Sequence, residues 1–251
     1  MSLGGHLKEL RKRFVIAIVG LVVGMVLAFI VTDTVIWFIT EPIRIIDEQR
    51  GGEFAELVFS GVSTGFNLRI RIAFALGLLF SAPVWLWQIW AFVMPGLTRK
   101  EIKYTIWFVA TAIPLFFAGT YVALTVAPHV IEVMANFIPD QGKYFADANY
   151  YYDFIFKFIL VIGVSFVLPV FMVALNLSGM ITGKAMIKGW RVAILVASLF
   201  AAIATPAADI GSMMLLAGIL VVLYFAAALL SMMFDRRKRK RLIAEGLDPD
   251  L

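Results

Sequence analysis

The stretch that decides the fold is residues 14–31, FVIAIVGLVVGMVLAFIV, which contains 18 consecutive residues without a charge. A helix of about 20 mainly apolar residues crosses the roughly 30 Å hydrocarbon core of a bilayer. The run is continuous rather than alternating, which favours a helix over a strand of a membrane barrel. Five similar runs follow, at residues 72–94, 104–127, 154–177, 192–204 and 210–234. The sequence therefore predicts an all-α integral membrane protein with six transmembrane helices.

The composition of the 251 residues supports a membrane protein, since 62% are hydrophobic and 16% are charged. Soluble domains are nearer one half apolar and one quarter charged, and a soluble fold of this size could not bury the excess. A cytosolic enzyme, a secreted domain and a disordered chain are thereby excluded. With no cysteine and two histidines, we expect no disulfide, no thiol chemistry, no metal site and no cofactor.

Basic residues alternate between the two sides of the predicted spans. Residues 1–13, 95–103, 178–191 and 235–251 hold 16 of the 22 lysines and arginines, and the intervening loops hold many acids. The positive-inside rule then predicts that both termini lie in the cytoplasm. We expect the protein to reside in the cell inner membrane. We expect the first run to be retained as a helix rather than cleaved as an export signal. The basic tail, 235–251, is interpreted as contacting anionic lipid rather than nucleic acid.

Two long loops are predicted on the outer side, at residues 32–69 and 128–153. Residues 53–59 alternate charged and apolar groups, which predicts a segment lying on the membrane surface. The second loop contains Tyr144, Tyr150, Tyr151 and Tyr152, and such tyrosines are typical of an interfacial belt. No internal repeat or linker is evident, so the chain is expected to be a single polytopic membrane domain, 1–251.

Several residues inside or beside the spans are candidates for a structural role. Pro83, Pro114 and Pro169 each remove a backbone hydrogen bond, and kinks in three helices would favour a concave bundle over a straight one. Gln88 lies deep in the second span, where an amide more often joins two helices than binds a substrate. Asp209 lies at the start of the last span.

Four charged residues could do more than orient the chain. Arg69 and Lys157 lie near the outer edge of their spans, where long side chains reach the interface. Glu9 and Glu101 are acids in otherwise basic cytoplasmic segments. Each could form a solvated local ion pair, which composition favours, or the two could offer carboxylates to a cationic ligand. The residues by themselves leave both interpretations open.

Catalytic motifs are missing from the chain. The sequence contains no HExxH metal site, no GxSxG elbow and no GxxxxGK[ST] phosphate loop. A transporter of small solutes would be expected to show ionisable residues at the membrane midplane and inverted repeats, and neither is evident. The sequence therefore indicates neither an enzyme nor a secondary transporter.

Five strings resemble motifs of a known family. Residues 6–13, HLKELRKR, resemble the HLxELRKR opening of the twin-arginine translocase TatC family. The strings SAP at 81–83 and QIWAFVMPGL at 88–97, followed by Glu101, are similar to its SAP…YQxWxFxxPgLxxxE signature. Two further strings, GVSF…PV at 163–170 and TPAAD at 205–209, resemble its fourth-span motif and its TPxD turn. The similarity runs in order from about residue 6 to residue 235.

The resemblance implies a six-helix receptor, shaped like a cupped hand, that binds signal peptides carrying paired arginines. Its implied partners are TatA-type and TatB-type single-span subunits, further copies of itself and membrane lipid, and folded cargo crosses by means of the proton-motive force. Carboxylates suit this ligand, because arginine pairs with them through two parallel bonds and lysine does not. The resemblance assigns signal-peptide binding to Glu9, Glu101, Phe92, Arg11 and Leu10. It assigns structural roles to Pro83, Gln88, Pro95, Pro169 and Asp209. The chain departs from the family at Val167, where many members carry Glu or Gln.

Overall fold

The computed structural model describes residues 3–49, 52, 55–59, 61, 63–93, 99–136, 144–204 and 210–244. The helices in these residues are α1 (Leu3–Gln49), α2 (Thr64–Phe80), α3 (Ala82–Val93), α4 (Arg99–Ala135), α5 (Ala148–Leu177), α6 (Gly183–Lys188), α7 (Trp190–Ala204) and α8 (Ile210–Ala244). Two short strands, β1 (Ala55–Val58) and β2 (Tyr144–Asp147), complete the elements. The described residues are thus almost entirely helical, and the prediction of an all-α protein is confirmed.

Four of the helices, α1, α4, α5 and α8, are long and apolar enough to cross a membrane. The consecutive helices α2 and α3 form a fifth candidate span that is bent by 56°. The predicted span 192–204 corresponds to α7, which has 15 residues and is shorter than a bilayer requires. The chain is therefore a multi-pass membrane protein with four or five spans by length and composition.

The chain divides into two compact units. Unit 1 comprises Met1–Leu97 and Phe117–Gly163, and unit 2 comprises Thr98–Phe116 and Val164–Leu251. Helices α4 and α5 contribute residues to both units.

In unit 1, helix α1 is much longer than the predicted first span. It has 47 residues and ends at Gln49, so it is about 70 Å long, whereas a loop was predicted from residue 32. The prediction was wrong because the second half of α1 also buries a face: Thr32, Ile39, Ile43 and Ile46 are all buried. Their spacing of three, four and seven residues places them on one side of the helix.

Helices α1 and α2 approach closely at two glycines. A Cβ atom added at Gly24 would lie 2.6 Å from the carbonyl oxygen of Gly77. One added at Gly77 would lie 2.7 Å from the backbone nitrogen of Met25. Small residues at a helix contact allow backbones to pack closely inside a membrane, where packing rather than hydrophobic burial holds helices together.

The break between α2 and α3 lies at Ser81, two residues before Pro83. Proline has no backbone N–H and cannot continue the hydrogen-bond ladder of α2, so it starts the next helix instead. The carbonyl oxygen of Leu78 accepts hydrogen bonds from the indole N–H of Trp85 at 2.9 Å and from the hydroxyl of Ser81 at 3.3 Å. Side chains thereby satisfy a carbonyl that the break would otherwise expose to lipid.

Strands β1 and β2 pair in parallel, with Ala55 opposite Tyr144 and Val58 opposite Asp147. The sequence did not predict this pairing: β1 lies in the segment expected on the membrane surface. A parallel pair needs a long connection, here three helices, so local pattern alone does not reveal it.

Two of the tyrosines predicted as an interfacial belt instead hold α5 against α1. Tyr151 and Tyr152 lie in the first turns of α5 and are 7% and 2% exposed. The Tyr151 hydroxyl donates to the carbonyl oxygen of Ile39 at 2.7 Å, and the Tyr152 and Thr40 hydroxyls share a hydrogen bond of 2.7 Å. The belt prediction was wrong for both because α1 continues far enough to cover them. Tyr150 is exposed.

Two ion pairs also join α2 to its neighbours α1 and α5 in unit 1. Arg69 of α2 contacts Asp33 of α1 at 2.7 Å, and Arg71 of α2 contacts Asp153 of α5 at 2.6 Å. All four side chains are at least one-third exposed, so each pair contributes little to stability. The pairs give Arg69 and Arg71 partners within the chain.

In unit 2, the segment between α5 and α6 is held by Asp235 of α8. Its carboxylate accepts hydrogen bonds from the side-chain amide of Asn176 at 2.9 Å and from the backbone N–H of Gly183 at 2.7 Å. The Thr182 hydroxyl caps α6 by accepting from the N–H of Ala185 at 3.2 Å. A carboxylate near a helix N-terminus is favoured by the helix dipole. Asp235 therefore fixes the start of α6 against α8.

Candidate functional site

The N-terminal part of α1 runs along α3 in the opposite direction, and three contacts mark the path. A Cβ at Gly20 would lie 2.9 Å from Val84, the Arg13 guanidinium reaches Gln88, and the His6 and Phe92 rings lie 4.4 Å apart between centroids. On α1, the residues of this face are only part-exposed and recur every three or four positions: Gly5, Glu9, Arg13, Ala17 and Gly20. The HLKELRKR and QIWAF strings are thus brought together along this helix contact.

The centre of this contact is a cluster of Glu9, Arg13 and Gln88, called here the guanidinium cluster. Arg13 Nη2 lies 2.5 Å from Glu9 Oε1, and Arg13 Nη1 donates to Gln88 Oε1 at 3.5 Å. The first contact is a short charge-assisted bond, and the second is at the limit of a hydrogen bond. A carboxylate and an amide oxygen on two helices therefore hold one guanidinium group.

The guanidinium cluster is partly withdrawn from water. The side chains of Arg13 and Glu9 are 21% and 28% exposed. Arg13 Nε is buried and has no hydrogen-bond partner within the described residues. A buried donor without a partner costs free energy. The cluster therefore holds Arg13 with at least one of its hydrogen-bond donors, the Nε–H, unpaired among the described residues.

The remaining residues assigned to peptide binding are exposed, half-buried or outside the described side chains. Leu10 and Arg11 are exposed on α1, and Phe92 is half-buried beside His6. The backbone of Glu101 lies in the first turn of α4, but its side chain is outside the described part of the chain. Pro95 also lies outside the described residues.

The residues assigned structural roles lie in three places. Pro83 is the second residue of α3, beside the break, and Pro169 lies inside α5. Gln88 of α3 belongs to the guanidinium cluster. Asp209 lies outside the described residues.

Arg13 was not among the site residues that the sequence singled out. The signal for it was present, because Glu9 and Arg13 are four residues apart in a helix and such pairs face each other. His6 was likewise absent from that set, although it opens the HLKELRKR string.

Comparison with known proteins decides the family. A family model described as Sec-independent protein translocase protein (TatC) matches residues 5–218. The chain belongs to the TatC family. It is 36% identical over 241 residues to the Sec-independent protein translocase protein TatC of Xylanimonas cellulosilytica, covering 96% of this chain and 87% of that protein. It is 30% identical over 251 residues to the TatC of Rothia mucilaginosa, covering 99% and 85% of the two chains.

Solved structures agree with the TatC assignment. A crystal structure of the twin arginine translocase receptor TatC superposes with a TM-score of 0.76 at 26% identity, covering 91% of this chain and 98% of that one. A second, in DDM, gives a TM-score of 0.79 at 27% identity, covering 90% and 99% of the chains. This TatC-family chain therefore shares its fold with the receptor subunit of that translocase.

Proposed function

We propose that this TatC-family chain is the receptor subunit of a twin-arginine protein translocase. It binds twin-arginine signal peptides at the cytoplasmic face and, with TatA-type and TatB-type subunits, exports folded proteins by means of the proton-motive force. It contributes binding and positioning and performs no chemical step. It acts as a single polytopic membrane domain of residues 1–251, associates with further copies of itself and contacts membrane lipid.

The observation that carries this proposal is that the guanidinium cluster already binds a guanidinium group. Glu9 and Gln88 hold that of Arg13 with a carboxylate and an amide oxygen. These are the acceptors that a signal-peptide arginine needs, and a lysine ammonium cannot form the same planar, two-bond contact. Phe92 adds an aromatic face next to the cluster, where the apolar part of a bound peptide can pack.

Two exposed residues of α1 lie on other faces of the helix, about 100° and 200° around its axis from Glu9. Leu10 and Arg11 follow Glu9 in the chain and are exposed. In the proposal, Leu10 packs against the apolar stretch of the signal peptide, and Arg11 contacts its backbone or a lipid phosphate. Glu101 supplies a second carboxylate for the second arginine of the pair.

The proposed topology has six spans and cytoplasmic termini in the inner membrane. Three predicted cytoplasmic segments adjoin the ends of described helices: the start of α1, the link from α3 to α4 and the link from α5 to α7. The 56° bend between α2 and α3 and the shortness of α7 are compatible with six spans if α2 and α3 cross as one and the bilayer thins at α7.

The test is binding of a fluorescent signal peptide to the full chain in detergent. A peptide with paired arginines should bind, and the same peptide with paired lysines should not. Glu9→Gln keeps the size of the side chain and removes its charge. Since a hydrogen bond to a charged group contributes about 1.5–3 kcal/mol, affinity should fall roughly ten- to a hundredfold.

A matched control keeps the interpretation specific. Glu48→Gln also removes one carboxylate from α1, at the far end of the same helix, where Glu48 contacts only Arg44 among the described residues. Its affinity should equal that of the unchanged chain. Equal binding of the arginine and lysine peptides, or equal loss in Glu9→Gln and Glu48→Gln, would contradict a cluster that recognises arginine.

A further inference from the structure

Unit 2 contains an open apolar groove with a volume of about 700 Å³ between α5, α6, α7 and α8. Its walls include Leu168 and Met172 of α5, Val192 and Phe200 of α7, and Tyr224 of α8. The Tyr224 hydroxyl is the one polar side-chain group among the lining residues, and it already donates to the carbonyl oxygen of Met186 at 2.5 Å. The groove therefore offers apolar contact and no polar side chain waiting for a partner.

The groove is open along α7 to whatever surrounds the chain. Val192 and Val196 are 64% and 57% exposed, and Leu168 and Phe200 on the same groove are also exposed. From Val192 to Phe200 the helix rises about 12 Å, close to half of a hydrocarbon core about 30 Å thick. The length of the groove therefore matches one leaflet.

Positive charge is concentrated at one end of the groove. Three exposed cations each immediately precede a lining residue: Lys184, Lys188 and Arg191 come before Ala185, Gly189 and Val192. Within the described residues none of them forms an ion pair with a carboxylate, and Arg191 lies over the Trp190 ring at 5.6 Å. The rest of α7, toward Ala204, contains no charged residue. The groove thus has a cationic end and an apolar end.

This asymmetry selects the ligand. An acyl chain gains no hydrophobic free energy by leaving the bilayer for an apolar groove, because lipid tails are as apolar as the groove walls. Selectivity must come from the cationic end, which favours an anionic headgroup. A cationic rim beside an apolar groove fits a ligand with one anionic end and one apolar end, which describes an anionic phospholipid.

We propose that this groove binds an anionic phospholipid, with one acyl chain along α7 and the headgroup on Lys184, Lys188 and Arg191. The site goes beyond the proposed receptor function and does not depend on peptide binding. In the proposed topology these cations face the cytoplasmic leaflet, where anionic lipids are enriched.

The experiment measures lipid retained by the full chain in native mass spectrometry during titration with phosphatidylglycerol or phosphatidylcholine. The unchanged chain should retain phosphatidylglycerol in preference. Each cation near an anionic headgroup changes affinity about fivefold, so Lys184→Gln, Lys188→Gln and Arg191→Gln together should lower phosphatidylglycerol affinity about a hundredfold. Phosphatidylcholine binding should hardly change.

Two further variants separate the groove from general charge. Lys8→Gln, Lys12→Gln and Lys157→Gln remove the same number of exposed cations outside the groove and should cost much less affinity. Ala193→Phe fills the groove without changing charge and should also lower phosphatidylglycerol affinity. Equal loss in the two charge variants, or unaltered lipid binding in Ala193→Phe, would overturn the site. If a single-span subunit bound the chain without displacing lipid, and if Ala193→Phe blocked the binding of that subunit, the groove would be assigned to a helix instead.

Discussion

Replacing Arg13 with glutamine is expected to raise the affinity for a twin-arginine peptide. In the free chain the Arg13 guanidinium contacts the Glu9 carboxylate at 2.5 Å. An incoming guanidinium group must therefore displace Arg13 from that carboxylate. Displacement should cost little, because the contact from Arg13 to Gln88 is long, at 3.5 Å, and Arg13 Nε is buried with no hydrogen-bond partner among the described residues. Arg13 therefore acts as a weakly held competitor for Glu9.

The size of the effect follows from the worth of the internal ion pair. Exposed pairs four residues apart in a helix contribute about 0.3–0.5 kcal/mol. The partial burial of Glu9 and Arg13, at 28% and 21% exposure, reduces screening, and about 0.5–1 kcal/mol is a reasonable range. Removing the competitor should then tighten peptide binding roughly two- to fivefold.

The assay is the anisotropy of a fluorescent twin-arginine peptide titrated with the full chain in detergent. Lys12→Gln is the matched control, since it removes the same charge from an exposed neighbour. In a Glu9→Gln background the gain from Arg13→Gln should vanish, because there is no carboxylate left to compete for. Weaker binding by Arg13→Gln, or a gain no larger than that of Lys12→Gln, would refute competition and make Arg13 a residue that orients Glu9.

Three other outcomes follow from the packing and the proposed topology. Gly77→Val should lower the unfolding free energy by about 1–3 kcal/mol, because the new side chain meets the α1 backbone. The control Gly218→Ala, with nothing within 4 Å of the new Cβ, should not lower the melting temperature. Equal melting temperatures of the two variants would contradict the close approach of α1 and α2. Tyr152→Phe removes the 2.7 Å hydrogen bond to Thr40 and should cost about 0.5–1.5 kcal/mol in denaturant unfolding; an unaltered midpoint would show that the bond contributes nothing net. A reporter enzyme that is active only outside the cytoplasm should remain silent when fused after Leu251, and activity there would exclude the six-span orientation.

The sequence by itself determined where most helices lie and which family the chain belongs to. The predicted spans end at residues 177 and 204, where α5 and α7 end, and the last predicted span starts at residue 210, where α8 starts. The reason is that crossing a membrane requires a local property, an uninterrupted apolar run of sufficient length. The HLKELRKR and QIWAFVMPGL strings likewise identified the family without any knowledge of contacts.

Only the tertiary structure decided which of these residues meet. The extension of α1 to Gln49, the burial of Tyr151 and Tyr152 and the pairing of β1 with β2 each depend on a partner segment far away in the chain. The same holds for the guanidinium cluster. Glu9 and Arg13 are neighbours in one helix, but Gln88 lies 75 residues from Arg13. Helix faces select each other through shape, as at Gly20 and Val84, and that complementarity exists only when both helices are packed.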